Sequence, residues 1–417
     1  MDAADPLMGS ETQVVYQNML NRFKNGSFHK NFTFPNSNLT QQQFTNPDSV
    51  TLLLNCIYFL DKFGVPILLT IGVLSNVIIS ITIRNSELKK VSACCFFFSI
   101  GIVDTLYLIA MAIPWISIRV VDIYNTEGFC QLIYYLNLLT TFLSSWYIVM
   151  LLAERLSVCY RQDASRKYMD AFRVKCYITL FSIFSIVGHL YLTWTSGVYI
   201  FQNRQICNVI PEHLEDIMIM RKIDIVLAFV LPVLLCITFT ITLLVHLCTS
   251  NFKNCNNGIL KAEVKMITFE VKLNSKQTTR YAECPSSSRA TKELSDQRLK
   301  LRILSQSRRL TVTSVFIALT YVFLFIPHNV IKTKFTFLSG DHIVTFEESL
   351  FLKLFEDLYK LNFAYKAFVY YALLPEMRKH FIKIFLRICK KRKANKMTRN
   401  GDAVNGDFIQ DTNFIGN

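Results

Sequence analysis

The sequence predicts an all-α membrane protein: a bundle of seven transmembrane helices followed by a short amphipathic eighth helix. Of the 417 residues, 52% are hydrophobic and 13% aromatic, and the mean hydropathy of +0.31 is unlike that of an ordinary soluble domain. Seven apolar stretches are each long enough to cross a bilayer at about 20 residues per crossing. Lys and Arg are concentrated in alternate loops between these stretches, as in multi-pass membrane proteins.

The third apolar stretch is the clearest transmembrane candidate. No charged residue lies between Cys130 and Glu154. As a helix this interval is about 37 Å long, compared with about 30 Å for the hydrocarbon core of a bilayer. The seven stretches have the approximate limits 56–84, 92–116, 128–157, 173–197, 221–247, 309–333 and 350–374.

These stretches divide the chain into predicted regions. A polar tail precedes a bundle over residues 51–374, which contains a long loop, and an amphipathic helix and a second polar tail follow it. The tail, loop, amphipathic helix and second tail cover residues 1–50, 248–308, 375–392 and 393–417.

The Lys and Arg residues also predict the orientation. They lie in the first, third and fifth loops and after the last stretch, for example Lys89, Arg173, Arg309 and the run 390–393. The positive-inside rule then places the N-terminus outside and the C-terminus in the cytosol, as expected for a multi-pass protein of the plasma membrane. The net charge of +15 is explained by this topology and by anionic membrane lipid, so we expect no nucleic-acid partner.

Two kinds of modification site agree with this orientation. Three N-x-[ST] sequons, which predict glycosylation, lie in the tail expected outside, at Asn25, Asn31 and Asn38. After Pro375, apolar residues recur every three to four positions among basic ones, which predicts a helix along the inner membrane surface. Cys389 near its end is a candidate for palmitoylation, with an unmodified cysteine as an equal alternative.

Several residues within the stretches carry a family resemblance. An asparagine and an aspartate interrupt the first two stretches, and an intramembrane carboxylate is by default a functional candidate. A cysteine and an acid–arginine pair stand at opposite ends of the third stretch. The chain resembles the rhodopsin-like G-protein-coupled receptors over about residues 56–390, on Asn76, Asp104, Cys130, Glu154, Arg155, Cys207, Pro232, Pro327 and Tyr370.

The resemblance implies a receptor that binds an extracellular ligand and activates heterotrimeric G proteins. It implies a disulfide between Cys130 and Cys207 that holds a loop over the cavity mouth. It implies opening of the cytosolic face at the acid–arginine pair, and the residues assigned to this step are Glu154, Arg155, Pro232, Pro327 and Tyr370.

The sequence departs from the family pattern most strongly in the seventh stretch. Lys366 and Ala367 replace the Asn-Pro pair that precedes the motif tyrosine, here Tyr370. We therefore hypothesise that Lys366 takes the place of the sodium ion that the family binds and pairs with Asp104. A buried ammonium facing a carboxylate is far less costly than either group alone. The polar network expected in this core comprises Asn76, Asp104, Ser144, Asn362 and Lys366.

The ligand class is predicted from charges near the outer ends of the stretches. Asn137 stands where the resemblance would place an amine-binding aspartate, which disfavours an amine ligand. Acidic residues suggest a vestibule suited to a cationic, amidated neuropeptide, although solvated loop charges are the alternative. These acids are Glu212, Glu215, Asp216, Asp341, Glu347, Glu348, Glu356 and Asp357. The cavity candidates are Tyr134, Asn137, Thr141, Phe325, His328, Asn329, Glu356, Asp357 and Lys360.

Further functions remain open from the sequence. Lys360 has the spacing of a retinal-binding lysine, so an opsin-like receptor with retinal as its cofactor is one alternative. A constitutively active orphan receptor is a second and, outside this class, a transporter or channel is a third. No catalytic dyad, metal-ligand spacing or phosphate loop stands out, so we expect neither an enzyme nor a metal site.

Overall fold

The computed structural model describes residues 47–160, 169–201, 204–256, 287–338, 346–383 and 386. We name the segments that correspond to the seven apolar stretches span 1 to span 7. Spans 1 to 4 are Pro47–Phe59 with Leu60–Gly64 and Val65–Arg84, then Ser92–Ser117, Phe129–Tyr160 and Ala171–Gly188. Spans 5 to 7 are Leu214–Asp224 with Ile225–Val230 and Leu231–Asn256, then Ser287–Leu338, and finally Phe346–Lys360 with Leu361–Phe363 and Lys366–Leu373. The connections contain short helices at Glu87–Lys90, Leu192–Thr195 and Pro211–His213 and the strands β1, Ser196–Phe201, and β2, Arg204–Val209.

The surface of the bundle is apolar. Six helices in the described part of the chain are long and apolar enough to cross a membrane, and they correspond to spans 1 to 6. Large apolar side chains point outward, among them Phe184 and Phe323, which are 75% and 76% exposed. Such a continuous apolar exterior suits lipid and would be unfavourable in water. The predicted class, an all-α membrane bundle, is confirmed.

The core lies between spans 2, 3, 6 and 7. The most apolar windows of spans 2, 3 and 6 are 50%, 56% and 50% buried, whereas those of spans 1, 4 and 5 are 28%, 22% and 22% buried. Among spans 1 to 6, spans 2, 3 and 6 therefore contribute most to the interior, and the buried Asp104 and Ser144 lie on spans 2 and 3.

Two spans contain a π-helical turn that ends two residues before a proline. The turn Leu60–Gly64 precedes Pro66, and the turn Ile225–Val230 precedes Pro232. Proline has no backbone N–H and its ring crowds the carbonyl four residues earlier, which in both spans lies within the π turn. The wider turn relieves this clash, so the sequence position of each proline explains the local widening.

Span 7 is broken, in contrast to the continuous helix expected over 350–374. It consists of a 15-residue helix, a 3-10 turn at Leu361–Phe363 and an 8-residue helix from Lys366. The break frees the carbonyl of Phe363, which accepts a hydrogen bond of 2.8 Å from the Asn76 side chain of span 1. A polar side chain in a neighbouring span thus satisfies the backbone group that the break exposes.

The fourth predicted helix ends earlier than expected. Span 4 stops at Gly188, and the chain forms an antiparallel hairpin from Ser196, where the sequence predicts helix to 197. In this hairpin Ser196 pairs with Val209 and Phe201 with Arg204. The run of apolar residues continues from span 4 into β1, so hydropathy alone does not mark the boundary.

The long loop is shorter than its expected limits of 248–308. Span 5 continues to Asn256 and span 6 begins at Ser287, so both helices extend into it. Residues 375–383 are helical, within the segment expected to lie along the membrane. The expected modification sites lie outside the described residues: Asn25, Asn31, Asn38 and Cys389.

Gly72 allows three spans to approach closely. A Cβ atom at this position would lie 2.7 Å from Cδ1 of Leu108 in span 2 and 2.9 Å from Cβ of Ala364 at the break in span 7. Distances this short require the neighbours to move. The absent side chain at Gly72 is therefore part of how spans 1, 2 and 7 fit together.

We expect Gly72→Ala to lower the free energy of unfolding by roughly 1–3 kcal/mol, the usual cost of overpacking. The measurement is the melting temperature of the purified protein in detergent. Gly188→Ala is the matched control, because a Cβ there meets no atom within 4 Å. Equal melting temperatures for the two variants would contradict the packing role of Gly72.

Candidate ligand cavity and activation switch

A disulfide anchors the hairpin to one end of span 3. Cys130 at the start of span 3 is bonded to Cys207 in β2, as predicted. The backbone N–H of Cys207 also donates to the side-chain oxygen of Asn125, at 2.9 Å. Partial burial would raise the pKa of Asp122, but hydrogen bonds from Asn125 and Ser117 outweigh this effect and lower it. The connection between spans 2 and 3 and the hairpin are therefore held as one unit.

We call this end of the bundle the disulfide end, and the opposite end, at Glu154 and Arg155, the arginine end. Span 3 connects the two ends.

An aromatic cluster lies among the residues assigned from the sequence to a ligand cavity, and we call it the floor of this candidate cavity. Tyr359 of span 7 lies at its centre, with ring centroids 5.0 Å from His328 and 5.5 Å from Phe325. The Tyr359 hydroxyl donates to Oγ1 of Thr141 in span 3, at 3.2 Å. Tyr359, which the sequence analysis missed, thus contacts three of the predicted ligand-binding residues: Thr141 on span 3 and Phe325 and His328 on span 6.

The remaining uncharged candidates have different partners. Tyr134 accepts a hydrogen bond from Arg221 of span 5, at 3.0 Å. Asn137 donates to the sulfur of Met111 at 3.1 Å, while its side-chain oxygen has no partner among the described residues. Asn329 donates to a backbone carbonyl of its own helix at 2.8 Å, which makes it a weaker candidate for contacting a ligand.

The charged candidates on span 7 neutralise one another. Nζ of Lys360 lies 2.7 Å from Asp357 and 3.0 Å from Glu356, so the predicted i,i+4 pair is present. Lys353 lies 3.5 Å from Glu356 and 3.7 Å from Asp357. Each carboxylate therefore has two lysines nearby. The expectation that Glu356 and Asp357 contribute net negative charge to a vestibule is wrong, because the sequence analysis did not include Lys353.

The remaining acids of the expected vestibule either lie near the ends of spans 5 and 7 or fall outside the described residues. Glu348 pairs with Lys334 of span 6 at 2.5 Å. Asp341 and the side chain of Glu347 lie outside the described residues. The acids with exposed side chains, at and before the start of span 5, are Glu212, Glu215 and Asp216.

An ion pair occupies the centre of the bundle. Nζ of Lys366 lies 2.9 Å and 3.1 Å from the two carboxylate oxygens of Asp104, and 3.0 Å from Oγ of Ser144. Ser144 in turn donates to Asp104 at 2.9 Å. Asp104 and Lys366 are fully buried, so the two charges have only each other and Ser144 as close partners among the described residues. The contact hypothesised from the sequence is therefore present.

Asn362 does not join this network, contrary to expectation. Its side chain is fully buried, and neither its oxygen nor its nitrogen has a hydrogen-bond partner in the described structure. In a continuous helix Asn362 and Lys366 would share a face, because they are four residues apart. The 3-10 turn at Leu361–Phe363 changes the rotation per residue and separates them.

The arginine end is closed by a buried polar group. Arg155 donates to both carboxylate oxygens of the adjacent Glu154, and Ser92 at the start of span 2 donates to one of them. Glu154 and Arg155 are 0% and 3% exposed. On span 6, Arg309 lies 3.8 Å from Glu376, which lies beyond span 7.

The remaining residues assigned to activation are buried or lie between the two sites. Tyr370 is 1% exposed and packs on Phe97 of span 2, with centroids 4.5 Å apart. Its hydroxyl has no hydrogen-bond partner among the described residues. Pro232 follows the π turn of span 5, and Pro327 lies within the uninterrupted helix of span 6.

Comparison with known families agrees with this arrangement. The family model described as "7 transmembrane receptor (rhodopsin family)" matches residues 75–369. The chain belongs to the rhodopsin family of receptors. A comparison with curated proteins finds no significant match. This rhodopsin-family receptor is thus a multi-pass membrane protein with a signalling role and is not an enzyme.

The structure adds site residues that the sequence analysis of this receptor missed. Ser92 binds the acid of the acid–arginine pair, Tyr359 joins three cavity residues, and Lys353 neutralises the acids of span 7. Arg221 and Lys332 carry charge to the cavity from spans 5 and 6. Helical spacing signals Lys332, which is one turn after His328, and Lys353, which is one turn before Asp357.

We expect Asp104→Asn and Lys366→Met each to lower the free energy of unfolding by about 3–5 kcal/mol, because each leaves a buried charge without its partner. The double variant, which removes both charges, should recover most of that loss. Ser144→Ala should cost only about 1 kcal/mol, the value of one hydrogen bond. Melting temperatures in detergent, combined in a double-mutant cycle, measure the coupling.

The ion pair between Asp104 and Lys366 also predicts how the stability of the protein responds to sodium. Because an ammonium already lies against Asp104, replacing sodium chloride by choline chloride at equal ionic strength should leave the melting temperature of the wild type unchanged. A wild type stabilised specifically by sodium, or single variants no less stable than wild type, would contradict the pairing.

Proposed function

We propose that this rhodopsin-family receptor binds an extracellular peptide at the disulfide end and activates a heterotrimeric G protein at the arginine end. One observation carries the proposal: span 3 contributes to the cavity, to the central ion pair and to the buried Glu154–Arg155 group. A displacement of span 3 at one end can therefore be transmitted along this helix to the residues that pack against its other end.

The orientation proposed for the membrane follows from charge. Basic residues lie at the arginine end, for example Lys89 and Lys90 between spans 1 and 2, and Arg173 and Lys175 near the start of span 4. The positive-inside rule assigns this end to the cytosol and the disulfide end to the exterior. A disulfide is also chemically favoured on the outer side, where the environment is oxidising. The plasma membrane is the location that such a receptor requires.

Two features of the disulfide end favour a peptide as the ligand. The hairpin is a sheet of only two strands, so each strand has an edge without a partner in that sheet, and an extended peptide can pair with such an edge. The cavity presents aromatic rings and charges of both signs, which suits a ligand with varied side chains. Asn137 in place of an aspartate on span 3 offers no charge partner for a small amine.

A contiguous set of contacts leads from the cavity to the core. The Tyr359 ring lies 5.3 Å from Phe363, and Tyr107 stacks on Phe363 at 3.6 Å between centroids. Nζ of Lys366 lies 5.3 Å from the centroid of the same Phe363 ring. A ligand that moves Tyr359 therefore pushes on the residues around the central ion pair and on the break in span 7. The ligand activates only to the extent that it binds the open bundle more tightly.

A retinal-binding receptor is the second candidate, because of Lys360. The amine of Lys360 is buried and lies within 3.0 Å of two carboxylates, which hold it as an ammonium. Formation of a Schiff base needs the neutral amine. We therefore expect purified protein incubated with retinal to show no visible absorbance band that depends on Lys360. A band abolished by Lys360→Met would favour the opsin-like receptor.

A constitutively active receptor and a transporter would each give a distinct signal. The constitutively active receptor would signal through G proteins without any ligand. A transporter or channel would give a current or flux on expression, and membership of the rhodopsin family argues against it.

The test of the proposed function is G-protein activation in cells that express this chain, with pools of peptides and without ligand. We expect one pool to activate the wild type and Arg155→Ala to abolish the response at equal surface expression. Silence of the wild type toward every pool, with surface expression established, would contradict the peptide proposal.

We expect Ser92→Ala to raise the ligand-independent signal by roughly three- to tenfold, because it removes a hydrogen bond of about 0.5–1.5 kcal/mol that holds Glu154 in the closed arrangement. Ser157→Ala is the control, since the Ser157 hydroxyl donates to the Ala153 carbonyl of its own helix. An unchanged basal signal for Ser92→Ala would show that this contact does not hold the receptor closed.

A further inference from the structure

Two cations near the cavity make no direct ion pair with a carboxylate among the described residues. There, the Arg221 side chain makes one hydrogen bond, to the Tyr134 hydroxyl, and the Lys332 side chain makes neither a hydrogen bond nor an ion pair. The charges of Lys332 and Arg221 are near enough to repel each other, and Asp224 is near enough to attract both. Two neighbouring cations that share one carboxylate leave an excess of positive charge, which an anion bound there would neutralise.

Helical spacing directs Lys332 toward the cavity. Lys332 follows Phe325 by seven residues and His328 by four, so the three side chains share one face of span 6. His328 stacks on Tyr359, which fixes this face toward the cavity floor. The side chain of Lys332 is exposed and that of Arg221 is half-buried, so a ligand can reach both.

The acids of the cavity are already engaged elsewhere. Glu356 and Asp357 each lie within 4 Å of both Lys353 and Lys360. Asp224, one turn after Arg221 on span 5, accepts a hydrogen bond of 2.7 Å from Tyr191 and forms no ion pair among the described residues. The acids of span 7 therefore balance the lysines of that span, whereas the two cations of spans 5 and 6 share Asp224 and carry an excess of positive charge.

We propose that Arg221 and Lys332 form a binding site for a carboxylate of the ligand, located between spans 5 and 6 above the aromatic floor. Tyr134 positions the guanidinium by accepting from one of its nitrogens, and the remaining N–H donors of Arg221 are suited to a bidentate contact. Lys332 supplies a second charge to the same anion. This inference deepens the proposed function, on which it rests, and reverses the sign of the ligand charge expected from the sequence.

The first test uses the empty receptor. Lys332→Gln removes one of two cations that share a single carboxylate, so we expect the melting temperature without ligand to stay the same or rise. A residue with a structural role would instead lower it. Lys334→Gln, which breaks the pair with Glu348, and Lys222→Gln, next to Arg221 and 5.9 Å from the Phe337 ring, are matched controls with the same change of charge.

The second test compares ligands that differ only in the anion. Matched peptide pools with a free C-terminal carboxylate or a C-terminal amide are added to purified receptor, and thermal stabilisation measures binding. Peptides with an acidic side chain and an amidated terminus distinguish the two sources of a carboxylate. Medium-chain fatty acids and the corresponding alcohols form a non-peptide arm.

We expect stabilisation by at least one carboxylate ligand and not by its neutral counterpart. Lys332→Gln and Arg221→Gln should each weaken that binding by roughly ten- to a hundredfold, the value of a hydrogen bond to a charged group. The control variants should bind as the wild type does. Equal stabilisation by acids and their neutral counterparts, or binding unaffected by both variants, would overturn the anion site.

The two proposals fail in different ways. Binding of fatty acids but of no peptide would support the anion site and contradict the peptide ligand. Binding of a free-acid peptide without G-protein activation in cells would support the anion site and contradict coupling. No stabilisation by any carboxylate in the three arms would overturn the anion site.

Discussion

The ion pair between Asp104 and Lys366 is the interaction on which the rest of the bundle depends. Its two charges come from spans 2 and 7, and the hydroxyl that bridges them comes from span 3. Neither charge has access to water, so each is stable in this position only while its partner is present. The cost of separating the two charges therefore holds the three spans at one relative position. In a lipid bilayer this matters because apolar packing alone discriminates only weakly between alternative arrangements of helices.

The break in span 7 is tied to this pair. Lys366 begins the second helix of the span, and Asn76 satisfies the Phe363 carbonyl that the break leaves free. Gly72, one turn before Asn76, gives span 1 the close approach that this hydrogen bond requires. The close packing at Gly72, the hydrogen bond of Asn76 and the ion pair of Lys366 therefore all stabilise the same layer of the bundle. An agonist would have to change this same level, because it lies between the cavity floor at Tyr359 and the Glu154–Arg155 group.

Some of these features could be predicted from the sequence and others could not, depending on whether the residue types alone determine the interaction. The pairing of Asp104 with Lys366 was predictable, because two opposite charges inside apolar stretches have few ways to be stable apart from each other. The break in span 7 was not, since neither proline nor glycine occurs there to signal it, and Asn362 was misplaced as a consequence. The hairpin was missed because no charged residue separates its first strand from the apolar run of span 4.

The charge of the cavity shows a further limit of sequence reading. Glu356 and Asp357 suggest a negative site when the sequence is searched for acidic residues alone. The net charge of a cavity, however, depends on all the charged side chains that lie close together in space. Lys353 and Lys360 approach them from the same helix, while Asp224 accepts a hydrogen bond from Tyr191 and attracts Arg221 and Lys332 without a direct ion pair to either among the described residues. The excess charge then belongs to two cations on different spans that share one carboxylate. In a molecule whose core pairs Asp104 with Lys366 so closely, an excess of positive charge in a reachable cavity marks the place where an anionic ligand would complete the site.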